Sequence, residues 1–188
     1  MPKQKITKEM VVDAAFELAR AGGMEQVMVK SIAEKLGCSV QPIYSYCNNM
    51  DGLRQDVTNQ ARRFVQSYVS ARLDRHDLFR STGRAYIQLA KEEPHILKMF
   101  VFQERKNISS LDDLYRTEAS PHLAQIMADE LNITVEKAAQ LHLNMLIYTI
   151  GIGTILSVTT PGIPADEIYS QQDHAFEIFL KATLEEKE

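Results

Sequence analysis

The sequence predicts an all-α chain of about nine helices, and three observations carry that prediction. No segment sustains the apolar–polar alternation of a half-buried strand. Glycines and prolines fall where helices would end or begin: Gly22-Gly23, Gly37, Pro94, Pro121, Pro161-Gly162 and Pro164. Between them, apolar residues recur three and four positions apart, the spacing of one helix face. The composition is that of a globular protein, with 45% apolar and 24% charged residues. At 188 residues the chain is long enough for one ordinary core, or for a small unit joined to a larger one.

Each element has its own local reason. Thr7 can cap a first helix whose stripe is Met10, Val11, Ala14, Ala15 and Leu18, and Gly22-Gly23 stops it. A short second helix sets Ile32, Ala33 and Leu36 on one face and ends at Gly37. Ser39 can cap a third, in which Pro42 sits in the first turn where a missing N–H costs little, and Asn48-Asn49 ends it. Longer helices are expected over 50–72 and 77–92, and Pro94 opens the next. Ser109-Ser110 with Asp112-Asp113 reads as a capped start, and Ser120-Pro121 as a cap followed by proline at the first helical position. Thr134 caps a helix that is apolar nearly all round, broken at Pro161-Gly162. The last helix, from Ala165 to about Leu184, carries Ile168, Gln172, Ala175, Phe176 and Phe179 at helical spacing.

The first three helices, with the tight turn Gly37-Cys38-Ser39 between the second and third, form a helix-turn-helix pattern. In the third helix Ile43 and Cys47, four apart, make the buried face. Gln41, Tyr44 and Ser45 lie together on the opposite face, and Tyr46 points to a flank. A tyrosine hydroxyl on an exposed helix is a neutral donor suited to a phosphate, and Gln41 stands where a side chain can reach a base edge in a major groove. Lys30, before the second helix, is a further candidate. The plainer alternative is that the tyrosines pack on the next helix with their hydroxyls in water.

The stretch "TKEMVVDAAFELARAGGMEQVMVKSIAEKLGCSVQPIYSYCNNMDGL", Thr7 to Leu53, resembles the DNA-binding domain of the TetR family of bacterial transcriptional regulators. The matching marks are Ala14-Ala15, Gly23, Ile32-Ala33, Gly37, Ser39, the Ile43-Tyr44 pair, and Leu53 after an acidic Asp51. The resemblance implies a homodimer. Residues 1–50 would be a helix-turn-helix domain binding a palindromic operator, and residues 51–188 an effector-binding and dimerisation domain. It implies phosphate contacts for Thr7, Tyr44 and Tyr46, and base-facing positions for Lys30, Val40 and Gln41. Ser39, Ser45 and Asn49 complete the expected DNA-contacting set. The sequence also departs from the family pattern. Met28 replaces a usual threonine and loses a cap, Pro42 and Cys47 are atypical, and Met50 stands where a phosphate-binding lysine is frequent.

The remainder of the chain matches no motif, so an effector pocket is implied by the resemblance alone. Its candidate lining is Tyr68, Tyr86, Phe100, Gln103, Tyr115, His142, Met145 and Tyr148, residue types that equally build a core. The last two long helices are too apolar to be hidden in so small a domain, which suggests a two-fold four-helix interface through Ile150, Gly151, Phe176 and Phe179.

The formal net charge of -4 is uneven: residues 1–63 hold nine Lys/Arg against seven Asp/Glu, a net of +2, and the remainder carries -6. A polyanion would meet only the front of the chain. The five histidines are scattered without ligand spacing, and "GIGTIL" lacks the third glycine and preceding strand of a phosphate loop. The expectation is therefore a non-enzyme with no metal or cofactor, binding a small-molecule effector. Two cysteines and no signal-like N-terminal run suggest a reduced, cytoplasmic protein, and the polar interruptions of 138–165 argue for a buried helix and no membrane span. The reading is a ligand-responsive repressor. The alternative is a TetR-like binding module with weakened DNA recognition that acts through a protein partner.

Overall fold

The computed structural model describes residues 6–46, 49–74, 76–119, 121–159 and 162–185. Among them are ten α-helices, one 3-10 turn and no strand. They group into two compact units: residues 1–68 with 93–103, and residues 69–92 with 104–188. The sequence places a boundary at residue 50, with the first domain continuing into the helix from about residue 50. The compact units divide near residue 68, and the first also holds a later helix.

In the first unit, α1 (Lys8–Gly22) starts where the Thr7 hydroxyl accepts a hydrogen bond from the Met10 N–H at 3.3 Å. It ends at Gly23, whose φ of 93° is open to glycine and strained for any side chain. A 3-10 turn, Met24–Gln26, leads to α2 (Val29–Lys35), which has no side-chain cap at Met28, as the missing threonine predicted. α2 closes in a Schellman motif: the Cys38 N–H reaches the Ala33 carbonyl at 3.0 Å, the Gly37 N–H reaches Glu34 at 3.1 Å, and Gly37 sits at φ 62°. This closure turns the chain directly into α3 (Val40–Tyr46). Ile43 is wholly buried and anchors α3 on α1 and α2. The expected partner of Ile43 at Cys47, the end signal at Asn48 and the cap at Ser120 lie outside the described residues.

α4 (Met50–Ser70) begins where the Asn49 side-chain oxygen accepts from the Gly52 N–H at 2.6 Å. It buries Leu53, Val57, Ala61 and Val65, one residue per turn. α6 (Pro94–Val101), with proline in its first turn, packs on α1 and buries Ile96 and Leu97. Arg20 of α1 donates to both carboxylate oxygens of Glu93 at the head of α6 through Nε and Nη2, with Nε–Oε2 at 2.9 Å, and lies over the Phe64 ring at 5.1 Å.

The second unit is built around α9 (Val135–Leu156), capped by the Thr134 hydroxyl on the Lys137 N–H at 3.3 Å. α5 (Leu78–Glu92), α8 (Pro121–Leu131) and α10 (Ala165–Glu185) pack against it. α9 is the one helix among the described residues long and apolar enough to cross a membrane, and those three neighbours cover part of it. α7 (Leu111–Glu118) starts from a reciprocal cap: Ser110 accepts from the Asp113 N–H, and Asp113 accepts from the Ser109 N–H. Phe79, Met127, Leu141, Met145 and Phe176 form the core. Phe176 is only 5% exposed, with its ring 4.6 Å from Phe79. It belongs to the core of its own chain, which corrects its expected place on a subunit surface. Helical spacing puts Phe176 and Phe179 on one stripe, but only Phe179 lies toward the edge, against Tyr148.

Candidate nucleic-acid interface and buried cavity

The outward face of α3 follows from its inward one. With Ile43 fixed in the core, Val40, Gln41, Tyr44 and Ser45 are all exposed, Tyr44 to 65%. Tyr46 is half-buried on the flank. The Ser45 hydroxyl donates to the Gln41 carbonyl at 3.1 Å, so its hydrogen stays within the helix. Ser39, before α3, and Lys30, in the first turn of α2, are exposed. Thr7 is half-buried and already occupied as a cap. The Asn49 oxygen is likewise committed to α4, which leaves its NH2 group as the outward donor. Met50 is half-buried at the head of α4. Of the nearby cations, Lys8 pairs with Asp56 at 2.9 Å and Arg54 lies 3.5 Å from Asp51. The face therefore presents neutral hydrogen-bonding and apolar groups, and on α2 Lys30 and Lys35 are exposed.

The second unit holds a cavity lined by α5, α8, α9 and α10. It brings together Tyr86, His142 and Met145 from the sequence-derived set, and adds Phe79, Met127 and Gln172. Its free space is about 30 Å³, room for a water molecule or two. Among the described residues no Asp, Glu, Lys or Arg lines it. Burial pushes the His142 imidazole down to about 4, so it is neutral near pH 7, and it shares a 3.0 Å hydrogen bond with the Tyr115 hydroxyl. Burial, with the Glu118 carboxylate adding to it, pushes the Tyr86 phenol up to about 12.

Gln172 is 2% exposed, and its side-chain oxygen has no hydrogen-bond partner. Its amide lies over Gly83, where an added Cβ would stand 1.6 Å from Gln172 Nε2. Sequence reasoning named neither residue as part of a site, although both left a signal. Gly83 is a glycine inside a helix, and Gln172 is a polar residue on an apolar stripe.

The other expected pocket residues lie elsewhere. Tyr148 packs on Phe179, and its hydroxyl donates to the Gln171 carbonyl at 3.5 Å. Tyr68, Phe100 and Gln103 belong to the first unit. There Gln103 accepts from Arg62 at 2.8 Å and borders a separate surface groove with His95, Lys98 and Phe102. Of the interface candidates, Gly151 is exposed on α9, whereas Ile150 and Phe179 are half-buried. Among the described residues no three His, Cys, Asp or Glu side chains are arranged to hold a metal.

No family model and no curated protein matches the sequence. The similarity lies in the fold. A TetR-like transcriptional regulator from Rhodococcus matches with a TM-score of 0.65 at 12% identity, over 96% of this chain and 99% of that one. A TetR-family transcriptional regulator from Haemophilus influenzae gives 0.57 at 15% identity, over 90% of this chain and 94% of that one. A TetR variant from Acinetobacter baumannii, solved in complex with minocycline, gives 0.54 at 16% identity, over 95% of this chain and 94% of that one. The chain has the fold of TetR-like transcriptional regulators over nearly its whole length.

Proposed function

We propose that this chain is a DNA-binding transcriptional regulator of the TetR type, a cytoplasmic homodimeric repressor released from a palindromic operator by a small molecule. The observation that carries the reading is the outward face of α3. Ile43 locks the helix down and leaves Gln41 and Tyr44 exposed, on the face that a helix-turn-helix would turn toward the major groove. Tyr44 would hold a phosphate, Gln41 would face bases, and Lys30 would supply nearby positive charge. Dimerisation would use the apolar stripe Ile147, Gly151 and Ile155 on α9 with Ile178 on α10, all exposed in the single chain.

The cavity supports an effector that is uncharged and mainly apolar. A charged ligand would find no opposite charge in the lining, and desolvating it there would be costly. A single hydroxyl or N–H on the ligand would satisfy the orphan oxygen of Gln172. With so little free space, a ligand would need lining side chains to move, and the lining includes Met127 and Met145, whose thioethers repack readily.

The second reading, a module with weakened DNA recognition working through a protein partner, draws its support from Met50 and from the absence of any charge on α3. One experiment separates the two. Selection from random duplexes followed by a gel shift should recover a palindrome bound by two chains. Failure to enrich any duplex at low salt would discard the repressor reading.

A further inference from the structure

Resting on the DNA-binding reading above, we propose that α3 selects A·T base pairs at two neighbouring positions of each half-site. The Val40 methyls would lie on a thymine C5-methyl, and the Gln41 carboxamide would pair with an adenine. The inference starts from what α3 lacks. Its sequence, VQPIYSY, contains no Arg or Lys to pair with guanine O6 and N7, and no Asp or Glu to accept from cytosine N4. A helix of this composition has no charged reader for a G·C pair.

What remains exposed sorts by chemistry. Ser45 keeps its hydroxyl hydrogen on the Gln41 carbonyl. Tyr44 is long, neutral and 65% exposed, suited to reach past the base edges to a phosphate. Gln41 and Val40 are left, on the first turn of α3. Gln offers one acceptor and one donor side by side, which complement adenine N6–H and N7. Val40 is a β-branched apolar residue left 43% exposed while Ile43, three residues on, is wholly buried. A large part of its apolar surface is left in water by the protein alone. In a major groove, the apolar group it can cover is the thymine methyl. Lys30, on α2, can read guanine, but from a different helix and so at a different base pair.

The test changes single atoms of the DNA and leaves the protein intact. Once selection has supplied the half-site, each thymine is replaced in turn by deoxyuridine, which deletes only the methyl. Each adenine is replaced by 7-deazaadenine, which deletes only the N7 acceptor. One uracil position should weaken wild-type binding by roughly 4-fold, the worth of one buried methyl, and leave Val40→Ala unaffected. One deaza position should weaken it by roughly 2- to 13-fold, the worth of one hydrogen bond, and leave Gln41→Ala unaffected. Both variants lie on the surface, and melting followed by circular dichroism checks that they fold. The proposal is overturned if the positions sensitive to Val40→Ala and Gln41→Ala are G·C pairs. It is equally overturned if the variants lose as much as wild type on the modified duplexes. If no duplex is enriched at all, the DNA-binding reading itself fails and takes this inference with it. That result is distinct from selection of a G·C site.

Discussion

Replacing Gly83 by alanine puts two effects of known sign in opposition. In a helix interior, alanine is favoured over glycine by about 1 kcal/mol. At Gly83 the new methyl would stand 1.6 Å from Gln172 Nε2 and 2.9 Å from its Cδ, so the amide has to leave its position. Gln172 is 2% exposed, and overpacking in such a site costs roughly 1–3 kcal/mol. The expected outcome is a net loss of about 0–2 kcal/mol, or up to several degrees in Tm for a chain of this size. In a Gln172→Ala background the obstacle is gone. Gly83→Ala should then stabilise the protein by up to about 1 kcal/mol, so the sign of the effect reverses. Urea denaturation of the four proteins in this double-mutant cycle, followed by circular dichroism, gives the coupling directly. If Gly83→Ala stabilises both backgrounds equally, Gln172 does not hold that position open, and the reasoning about the cavity's polar corner fails with it.

Four further outcomes are expected. Ile43→Ala should destabilise the fold by about 2–5 kcal/mol and abolish any operator binding, as measured by denaturation and gel shift. His142, held neutral by burial, takes up a proton in the unfolded chain below its ordinary value of 6.5 but in the folded chain only near 4. Its contribution is present above pH 6.5 and is lost as pH falls toward 4, up to about 3 kcal/mol, and His142→Gln should flatten that part of a stability–pH curve. Ile155→Glu, at a position 59% exposed in the single chain, should leave the fold intact yet give monomers on sedimentation, and a variant that remains dimeric refutes the α9 stripe as interface. Tyr44→Phe should weaken binding to all duplexes by about 1 kcal/mol per contact, with no change of base preference across single-base variants and only a modest salt slope.

The legible parts of this fold were those decided by local chemistry. Thr7, Thr134 and Ser110 cap the helices that their hydroxyls predicted, and Gly23 and Gly37 stand at the positive φ that a helix stop demands. The two faces of α3 followed from 3.6-residue spacing once Ile43 was taken as its anchor. What depends on tertiary packing was not legible. Spacing put Phe176 and Phe179 on one stripe but did not say that the first meets Phe79 of its own chain. Asn49 looked like the stop of one helix, and its oxygen is the cap of the next. The cavity gathers Tyr86, His142 and Gln172 from three helices distant in sequence, and no local pattern reports such a meeting.

The return of the chain to its first unit bears on how chains of this fold can be recombined. A hybrid made by one splice, with the N-terminal end of this chain on the body of another, would end the donated part near residue 68. That cut removes Glu93 from Arg20 and takes Ile96 and Leu97 away from α1. The recipient's own helix would then lie beneath a foreign α1, with a mismatched ion pair and an unfitted apolar seam. A transplant that preserves the donor's packing carries two separate pieces, residues 6–68 and 93–103, joined into the recipient at three seams.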